Sequence, residues 1–182
     1  MTTYIVFTAE VKSPYIAKLK EALIMAANSG NDVYLLISSQ GGDVPEGLNI
    51  AALMRLLPIK ITTHNINFTD SVANVIFAAG TTRYANPSAS FMFHGFSSHF
   101  QAGLELGELQ LEEHLKSLQR MRQSIAFGFA KYAGLPDTEV GSLTGNASVV
   151  LSASDALKKS IIHEIRDATI PAGAQIISIG NV

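Results

Sequence analysis

The chain has 182 residues and a formal net charge of −2, with 47% hydrophobic and only 15% charged residues. This length is enough to bury a sizeable core in one domain, but the charged fraction lies well below the roughly 25% of an average soluble domain. We therefore expect a single domain over residues 1–182, with a surface partly covered by other copies of the chain. The small net charge excludes electrostatic attraction to nucleic acid or to an anionic membrane.

The chain contains no cysteine, which excludes disulfides, thiolate metal sites and a cysteine nucleophile. Its N-terminus lacks the basic and apolar regions of a signal peptide, and no apolar run reaches the ~18–20 residues that a membrane span needs. The sequence therefore predicts a cytoplasmic protein without a membrane segment.

Strands and helices are predicted to alternate in the first part of the chain. Hydrophobic patterning indicates strands at 4–9, 33–38 and 60–64, and helices at 13–28 and 45–57. Strand–helix–strand units of this kind place parallel neighbours in one sheet, which is typical of an α/β fold.

The second part contains one unusually long helical pattern, at 104–132. Such a helix would span ~40 Å at 1.5 Å per residue, so we expect it either to break near Gly128 or to project and pack on another subunit. The remaining predicted elements are turns at 81–88, a strand at 89–94, a short helix at 137–141, a turn and strand at 144–151, a helix at 152–160, a strand at 161–165, and a tail from 171 that forms an extra strand or an arm on a neighbour.

Ser71 lies close to a junction between the strand at 60–64 and an apolar, small-residue run that indicates a buried helix. A hydroxyl at such a junction is exposed at the edge of a sheet, and the helix N-terminus contributes free N–H groups and a partial positive charge. This position suits a nucleophile and the oxyanion that it generates. The simpler alternative is that Ser71 or Asp70 only caps the helix.

Two other segments follow predicted strands. Gly41 and Gly42 come after the strand at 33–38, and paired glycines let the backbone turn sharply and approach a ligand closely. His94 ends the strand at 89–94, where it is either a structural side chain or a base, depending on its partner. Since Ser71 and His94 both follow strands, both can lie along the crevice where open α/β sheets hold ligands.

In their order and spacing, these segments resemble the proteolytic subunit of the Clp protease, a serine peptidase with the crotonase-type repeated ββα superhelix. The resemblance covers roughly residues 4–166, and the chain is identified as a divergent member of that family. It implies a head at about 1–100 and 134–170, a protruding handle helix at about 104–132 and a C-terminal tail at 171–182. The matching pieces are the strand and glycine loop at 35–47, Asp70-Ser71-Val72 running into Phe77-Ala-Ala-Gly80, Phe91-Met-Phe-His94, the long helix, and 151–156.

The resemblance also implies an ATP-dependent serine endopeptidase that cleaves peptides or unfolded proteins inside an oligomeric chamber. Ser71 would be the nucleophile and His94 the general base, and the backbone N–H groups of Gly42 and Val72 would form the oxyanion hole. This chemistry needs no metal or organic cofactor. The implied assembly is a homo-oligomer of stacked rings, a heptamer or tetradecamer.

The triad acid is one departure from the family, because the position of its aspartate corresponds to Thr144 or, with the gap shifted, to Asn146. Around the nucleophile, the family normally has Gly-X-Ala-Ala-Ser followed by Met-Gly-Ala, whereas this chain reads Asn67-Phe-Thr-Asp-Ser71 followed by Val72-Ala-Asn74. The segment before the first strand is also shorter than in the family, which argues against docking of an AAA+ unfoldase. Two alternatives stay open: a catalytically degenerate structural or peptide-binding subunit, and a crotonase-like acyl-CoA enzyme.

Overall fold

The computed structural model describes residues 1–95, 103–145 and 147–180. Helices and strands alternate through most of these ranges. In chain order they are β1 (Thr2–Thr8), α1 (Ser13–Asn28), β2 (Asp32–Ser39), α2 (Val44–Leu56), β3 (Ile61–Asp70), α3 (Ala73–Ala78), β4 (Thr82–Ala85), β5 (Ser90–Phe93), α4 (Glu108–Ala133), α5 (Asp137–Leu143), β6 (Val149–Ser152), α6 (Ala153–Lys158), β7 (Glu164–Ile165) and β8 (Gln175–Gly180).

The strands of the described ranges form one sheet in the order β6-β5-β3-β2-β1-β8, with β4 paired to β3 and β7 paired to β4. All of these neighbours are parallel except β5 and β6, which are antiparallel. Most residues of β2 are buried, as expected for a parallel strand covered on both faces. The predicted α/β class is therefore confirmed.

β3 is longer than predicted and changes its partner along its length. It pairs with β4 at residues 62–65 and with β5 at residues 68–70. The prediction ended this strand at His64, because the apolar, β-like segment runs out there. Here Asn65 continues the strand, since its buried side chain donates a hydrogen bond to Ser90 O across the partner change. The segment predicted as turns at 81–88 contains β4, which the prediction missed.

α4 is continuous, so the predicted break at Gly128 is wrong. A Cβ added to Gly128 would lie 3.1 Å from Val75 Cγ1 and 3.4 Å from Leu48 Cδ2, so glycine permits close packing of α4 on α3 and α2. The buried residues of α4 begin at Ile125, and none of residues 108–124 is buried. Met121 is partly buried and packs against the core, so residues 108–120 project by about 20 Å at 1.5 Å per residue. This agrees with the first half of the alternative prediction, and packing on another subunit stays a prediction.

The C-terminal tail forms the extra strand that was one of its two predicted outcomes. β8 pairs in parallel with β1 at the edge of the sheet, with Thr3 opposite Gln175 and Thr8 opposite Gly180. Ile179 of β8 is buried in the core.

Arg83 on β4 connects four parts of the fold although it is only 6% exposed. Burial lowers the pKa of its guanidinium, with a smaller contribution from the charge of Arg55. The last carbonyls of a helix carry a partial negative charge, and two of the acceptors of Arg83 end α4. The five accepting carbonyl oxygens are those of Ile161 (2.6 Å), Ala133 (3.3 Å), Ser160 (3.3 Å), Gly80 (3.4 Å) and Tyr132 (3.4 Å).

Replacement of Arg83 should be strongly destabilising. We expect Arg83→Lys to lower the free energy of unfolding by roughly 3 kcal/mol, because one ammonium cannot reach all five carbonyls and leaves buried acceptors unpaired. The measurement is urea denaturation followed by circular dichroism. The exposed Arg55 is the control, and Arg55→Lys should change the stability by no more than about 0.5 kcal/mol. Equal effects of the two substitutions would contradict the role of Arg83.

Candidate active site

Ser71 lies between the end of β3 at Asp70 and the start of α3 at Ala73. Its φ is 56°, a left-handed conformation that costs a non-glycine residue roughly 1–2 kcal/mol. The backbone is held there because Ser71 N–H donates to Met92 O at 2.9 Å and Ser71 O accepts from Asn74 N–H at 3.1 Å. The capping alternative is wrong, since α3 has no side-chain cap. The hydroxyl is half-buried and borders a cleft.

His94 lies one residue beyond the end of β5. Its Nδ1 is 2.7 Å from the carbonyl oxygen of Gly95. Because a carbonyl oxygen can only accept, Nδ1 must carry the proton, and in the neutral ring Nε2 then has the free lone pair. The ring is therefore held in the tautomer that can act as a base through Nε2.

Ser71 and His94 line the same cleft, which has a volume of about 340 Å³. In the part of the chain that the structure describes, no hydrogen bond joins the serine hydroxyl to the imidazole; such bonds are often long before substrate binds. Both residues also border a smaller recess against α4. The other residues of the cleft are Glu10, Gln40, Gly41, Gly42 and Val44, and those of the recess are Phe93, Arg122, Ile125 and Thr144.

The glycine loop packs directly against the turn that carries Ser71. A Cβ added to Gly41 would lie 2.6 Å from Asp70 O and 2.9 Å from Ser71 Cβ, and one added to Gly42 would overlap Val11 O. Both glycines have a positive φ, 85° for Gly41 and 144° for Gly42, a conformation that residues other than glycine rarely adopt. Val11 holds the glycine loop in place through two backbone hydrogen bonds. Its N–H donates to Gly41 O at 2.8 Å, and its O accepts from Asp43 N–H at 2.7 Å. Among the residues that the structure describes, this pairing leaves the N–H of Gly42 without an acceptor.

Val72 begins the turn that enters α3, so it lies where backbone N–H groups have no acceptor within the helix. Its nitrogen is 3.4 Å from the position that a Cβ of Gly41 would take. Gly42 and Val72, the two predicted oxyanion-hole residues, therefore lie on adjoining segments beside Ser71.

The structure describes only one of the two predicted candidates for the third member of the catalytic triad. Thr144 is buried and lines the recess with Ser71 and His94. Its hydroxyl donates to Val140 O at 3.0 Å, while Nδ1 of His94 contacts Gly95 O. Asn146, the other candidate, lies outside the described residues.

Asp70 precedes Ser71 and is half-buried. Burial raises the pKa of its carboxyl group, while the backbone N–H of Met92 and the charge of His94 act in the opposite direction. The ionised form of Asp70, next to Ser71, therefore costs free energy because it is partly buried.

Removal of this charge should stabilise the protein at neutral pH. We expect Asp70→Asn to raise the midpoint of thermal unfolding at pH 7, because the variant avoids the cost of an ionised buried carboxyl. The gain should shrink as the pH falls through the raised pKa of Asp70, since the wild-type carboxyl then takes up a proton and loses that penalty. Calorimetry at pH 7 and at successively lower pH, down to about 4, the ordinary pKa of an Asp, measures the difference. The exposed Asp167 provides the control Asp167→Asn, and an equal gain at every pH would contradict this account.

Sequence reasoning missed several residues of this region. Arg122 and Glu10 border the cavities, and no motif singled them out. Asn74 is fully buried in α3; a lone amide within an apolar run was the signal that could have identified it. In the described ranges there is no group of three or more His, Asp or Glu residues that could hold a metal ion, and none of their helices is long and apolar enough to cross a membrane.

Solved structures define the class of fold. A point mutant of ClpP1 from Listeria monocytogenes matches this chain with a TM-score of 0.78 over 91% of both chains, at 20% sequence identity. The architecture is therefore the crotonase-like fold of that protein, as predicted. A sequence model of the Clp protease family matches residues 1–169. The chain belongs to the Clp protease family.

Curated relatives agree with this assignment at low identity. The chain is 26% identical to ATP-dependent Clp protease proteolytic subunit 1 of Leifsonia xyli over 153 residues, which cover 83% of this chain and 75% of the relative. It is 23% identical to proteolytic subunit 2 of Treponema denticola over 168 residues, 90% of this chain and 82% of the relative. Proteolytic subunit 1 of Streptomyces avermitilis is 33% identical over 104 residues, 54% of this chain and 48% of the relative.

Proposed function

We propose that this protein is a serine endopeptidase that cleaves peptides or unfolded proteins, with Ser71 as the nucleophile and His94 as the general base. The observation that carries the proposal is that Ser71 and His94 line one cleft together with Gly41 and Gly42. The tautomer of His94 supports it, because Nε2 is available to accept a proton. Membership of a protease family supports the class of reaction.

In this mechanism, Nε2 of His94 accepts the proton of the Ser71 hydroxyl while Oγ attacks the carbonyl carbon of the peptide bond. The N–H groups of Gly42 and Val72 donate to the resulting oxyanion. The protonated His94 then delivers its proton to the leaving amine, and water hydrolyses the acyl-enzyme. The substrate would lie extended beside Gly41 and pair through its backbone.

The group that accepts a hydrogen bond from Nδ1 of His94 affects kcat of the proposed reaction. Gly95 O accepts from Nδ1, so a neutral carbonyl orients the ring where a serine protease usually has a carboxylate. Loss of the carboxylate in a triad lowers kcat by about 10⁴-fold when the tautomer is also wrong. Here the tautomer is right, so we expect a slow peptidase with a smaller deficit. Thr144 and Asn146 remain the proposed candidates for an additional triad member.

Assembly of several copies would enclose the site in a chamber. The projecting part of α4 exposes leucines in water, among them Leu109 at 68% and Leu115 at 55% exposure, and apolar patches of this kind favour burial against another chain. We propose that this handle joins copies into stacked homo-oligomeric rings, a heptamer or tetradecamer, in the cytoplasm. The ATP-dependence that the family resemblance implies belongs to the same proposal, whereas docking of an AAA+ unfoldase does not.

A catalytically degenerate peptide-binding or structural subunit is the second candidate. It is favoured by Asp70, since a negative charge next to Ser71 opposes an oxyanion. Such a subunit would use the same cleft to bind extended peptides without cleaving them.

Active-site labelling distinguishes the two candidates. We expect a fluorophosphonate probe to modify Ser71 stoichiometrically, with no modification of Ser71→Ala and labelling slowed by about 100-fold or more in His94→Ala, the order of a general-base contribution. Intact-mass spectrometry measures the labelling, and the exposed Ser88 provides the control Ser88→Ala. Absence of labelling at every pH and in every assembly state would overturn the peptidase proposal and favour the binding subunit.

The proposed assembly is tested separately by the mass of the protein in solution. We expect the mass of an oligomer, and a monomeric mass would overturn the proposed assembly.

A further inference from the structure

Three buried polar residues behind Ser71 form one continuous hydrogen-bonded chain. Asn65, Thr69 and Asn74 each have 0% of their surface exposed. We propose that these three residues, the Asn–Thr–Asn network, are positioning residues that hold the Ser71 backbone against the strand that carries His94. This inference rests on the proposed peptidase function and adds a device on which its rate depends.

The network begins where β3 changes its partner. Asn65 Nδ2 donates to Ser90 O at 2.8 Å and to Thr69 Oγ1 at 3.3 Å, and Asn65 Oδ1 accepts from Asn67 N–H at 3.1 Å. The Thr69 hydroxyl in turn donates to Asn74 Oδ1 at 2.9 Å. The three side chains therefore connect β3, the start of β5 and α3.

The network ends on a carbonyl that it shares with the nucleophile. Asn74 Nδ2 donates to Met92 O at 2.8 Å, and the same oxygen accepts from Ser71 N–H at 2.9 Å. Met92 lies on β5 two residues before His94. Asn74 N–H also donates to Ser71 O. Asn74 therefore contacts both the backbone of Ser71 and the strand that leads to the proposed base.

This arrangement matters because Ser71 has an unfavourable backbone conformation, with φ at 56°. If Met92 O were released, the turn would be free to relax toward a right-handed conformation, and the Ser71 hydroxyl would move away from His94. A misplacement of about 1 Å can cost a factor of ~10² in rate. Buried amides do not by themselves stabilise a fold more than apolar residues of the same shape, so positioning explains why polar residues occupy these sites.

Thr69 and Asn74 form the central contact of the Asn–Thr–Asn network. Their side chains contact each other at 2.9 Å. Either substitution alone would leave a buried polar group without this partner, which is unfavourable. Thr69 and Asn74 therefore form a matched pair, which is expected if both serve the same function.

The test compares two substitutions of Thr69. Thr69→Val removes the hydroxyl but keeps the volume, whereas Thr69→Ser keeps the hydroxyl. We expect Thr69→Val to lower kcat for a peptide substrate, and the rate of fluorophosphonate labelling, by about 10-fold with little change in KM, because placement affects the reacting geometry more than binding. Thr69→Ser should stay within about twofold of the wild type, as expected where the positioning hydrogen bond is retained.

Asn86 provides the matched control. Its amide donates to Ile66 O at 3.0 Å and accepts from Ala168 N–H at 2.9 Å, so Asn86→Ala also removes two hydrogen bonds near β3. These bonds do not involve Met92 or Ser71. We expect Asn86→Ala to lose stability but to keep kcat. If kcat instead followed stability across all variants, the network would be structural only and the inference would be overturned.

Amide hydrogen exchange at Ser71 makes the test independent of activity. In Thr69→Val, exchange at Ser71 N–H should become about 10-fold faster than in Thr69→Ser, because its acceptor is less firmly held. If the wild type is not labelled, the peptidase proposal fails, and equal exchange rates in the two variants would then overturn the positioning role as well. If the wild type is labelled and both Thr69 variants react equally fast, only the positioning role fails. Should Thr69→Val not fold, Asn74→Ser is compared with Asn86→Ser by the same measurements.

Discussion

The change of partner along β3 is the constraint on which the rest of the site depends. β3 pairs first with β4 and then with β5, so one strand contacts two neighbours that lie one after the other in the sequence. The second pairing brings the end of β3, which leads to Ser71, next to the end of β5, which leads to His94. The first pairing places β4 where Arg83 joins it to the end of α4. A strand that kept one partner throughout would separate these features.

The buried polar side chains of Asn65 and Thr69 and the strained backbone of Ser71 lie at or just after this partner change. The packed core around them offsets their cost in free energy. All six residues of α3 are buried, and this compact helix fixes the far side of the Ser71 turn. Gly41 lets the neighbouring loop contact the turn on its near side. The left-handed conformation of Ser71 is therefore held from three directions, by β5, α3 and the glycine loop. Strained residues persist where their surroundings determine them in this way.

Much of the architecture could be predicted from the sequence, because α1 has a clear hydrophobic period and β2 is an almost uninterrupted apolar run. The strand ends also indicated Ser71 and His94 as neighbours, and the family resemblance added Gly42. The extension of β3 could not be predicted, because Asn65 is satisfied by Ser90 O, 25 residues away. The break predicted at Gly128 was wrong because close packing against Val75 offsets the low helix propensity of glycine. Such contacts depend on tertiary structure, which local patterns do not contain.

The pairing of β8 with β1 has a consequence for the order of events during synthesis. Thr3 lies opposite Gln175, so β1 receives this neighbour only after all of the intervening strands and helices have been synthesised. Until then β1 presents an open edge, the kind of surface that pairs with other chains. Pairings of such long sequence separation also form slowly. A nascent chain of this protein would therefore benefit from a chaperone that shields the edge of β1 until β8 emerges.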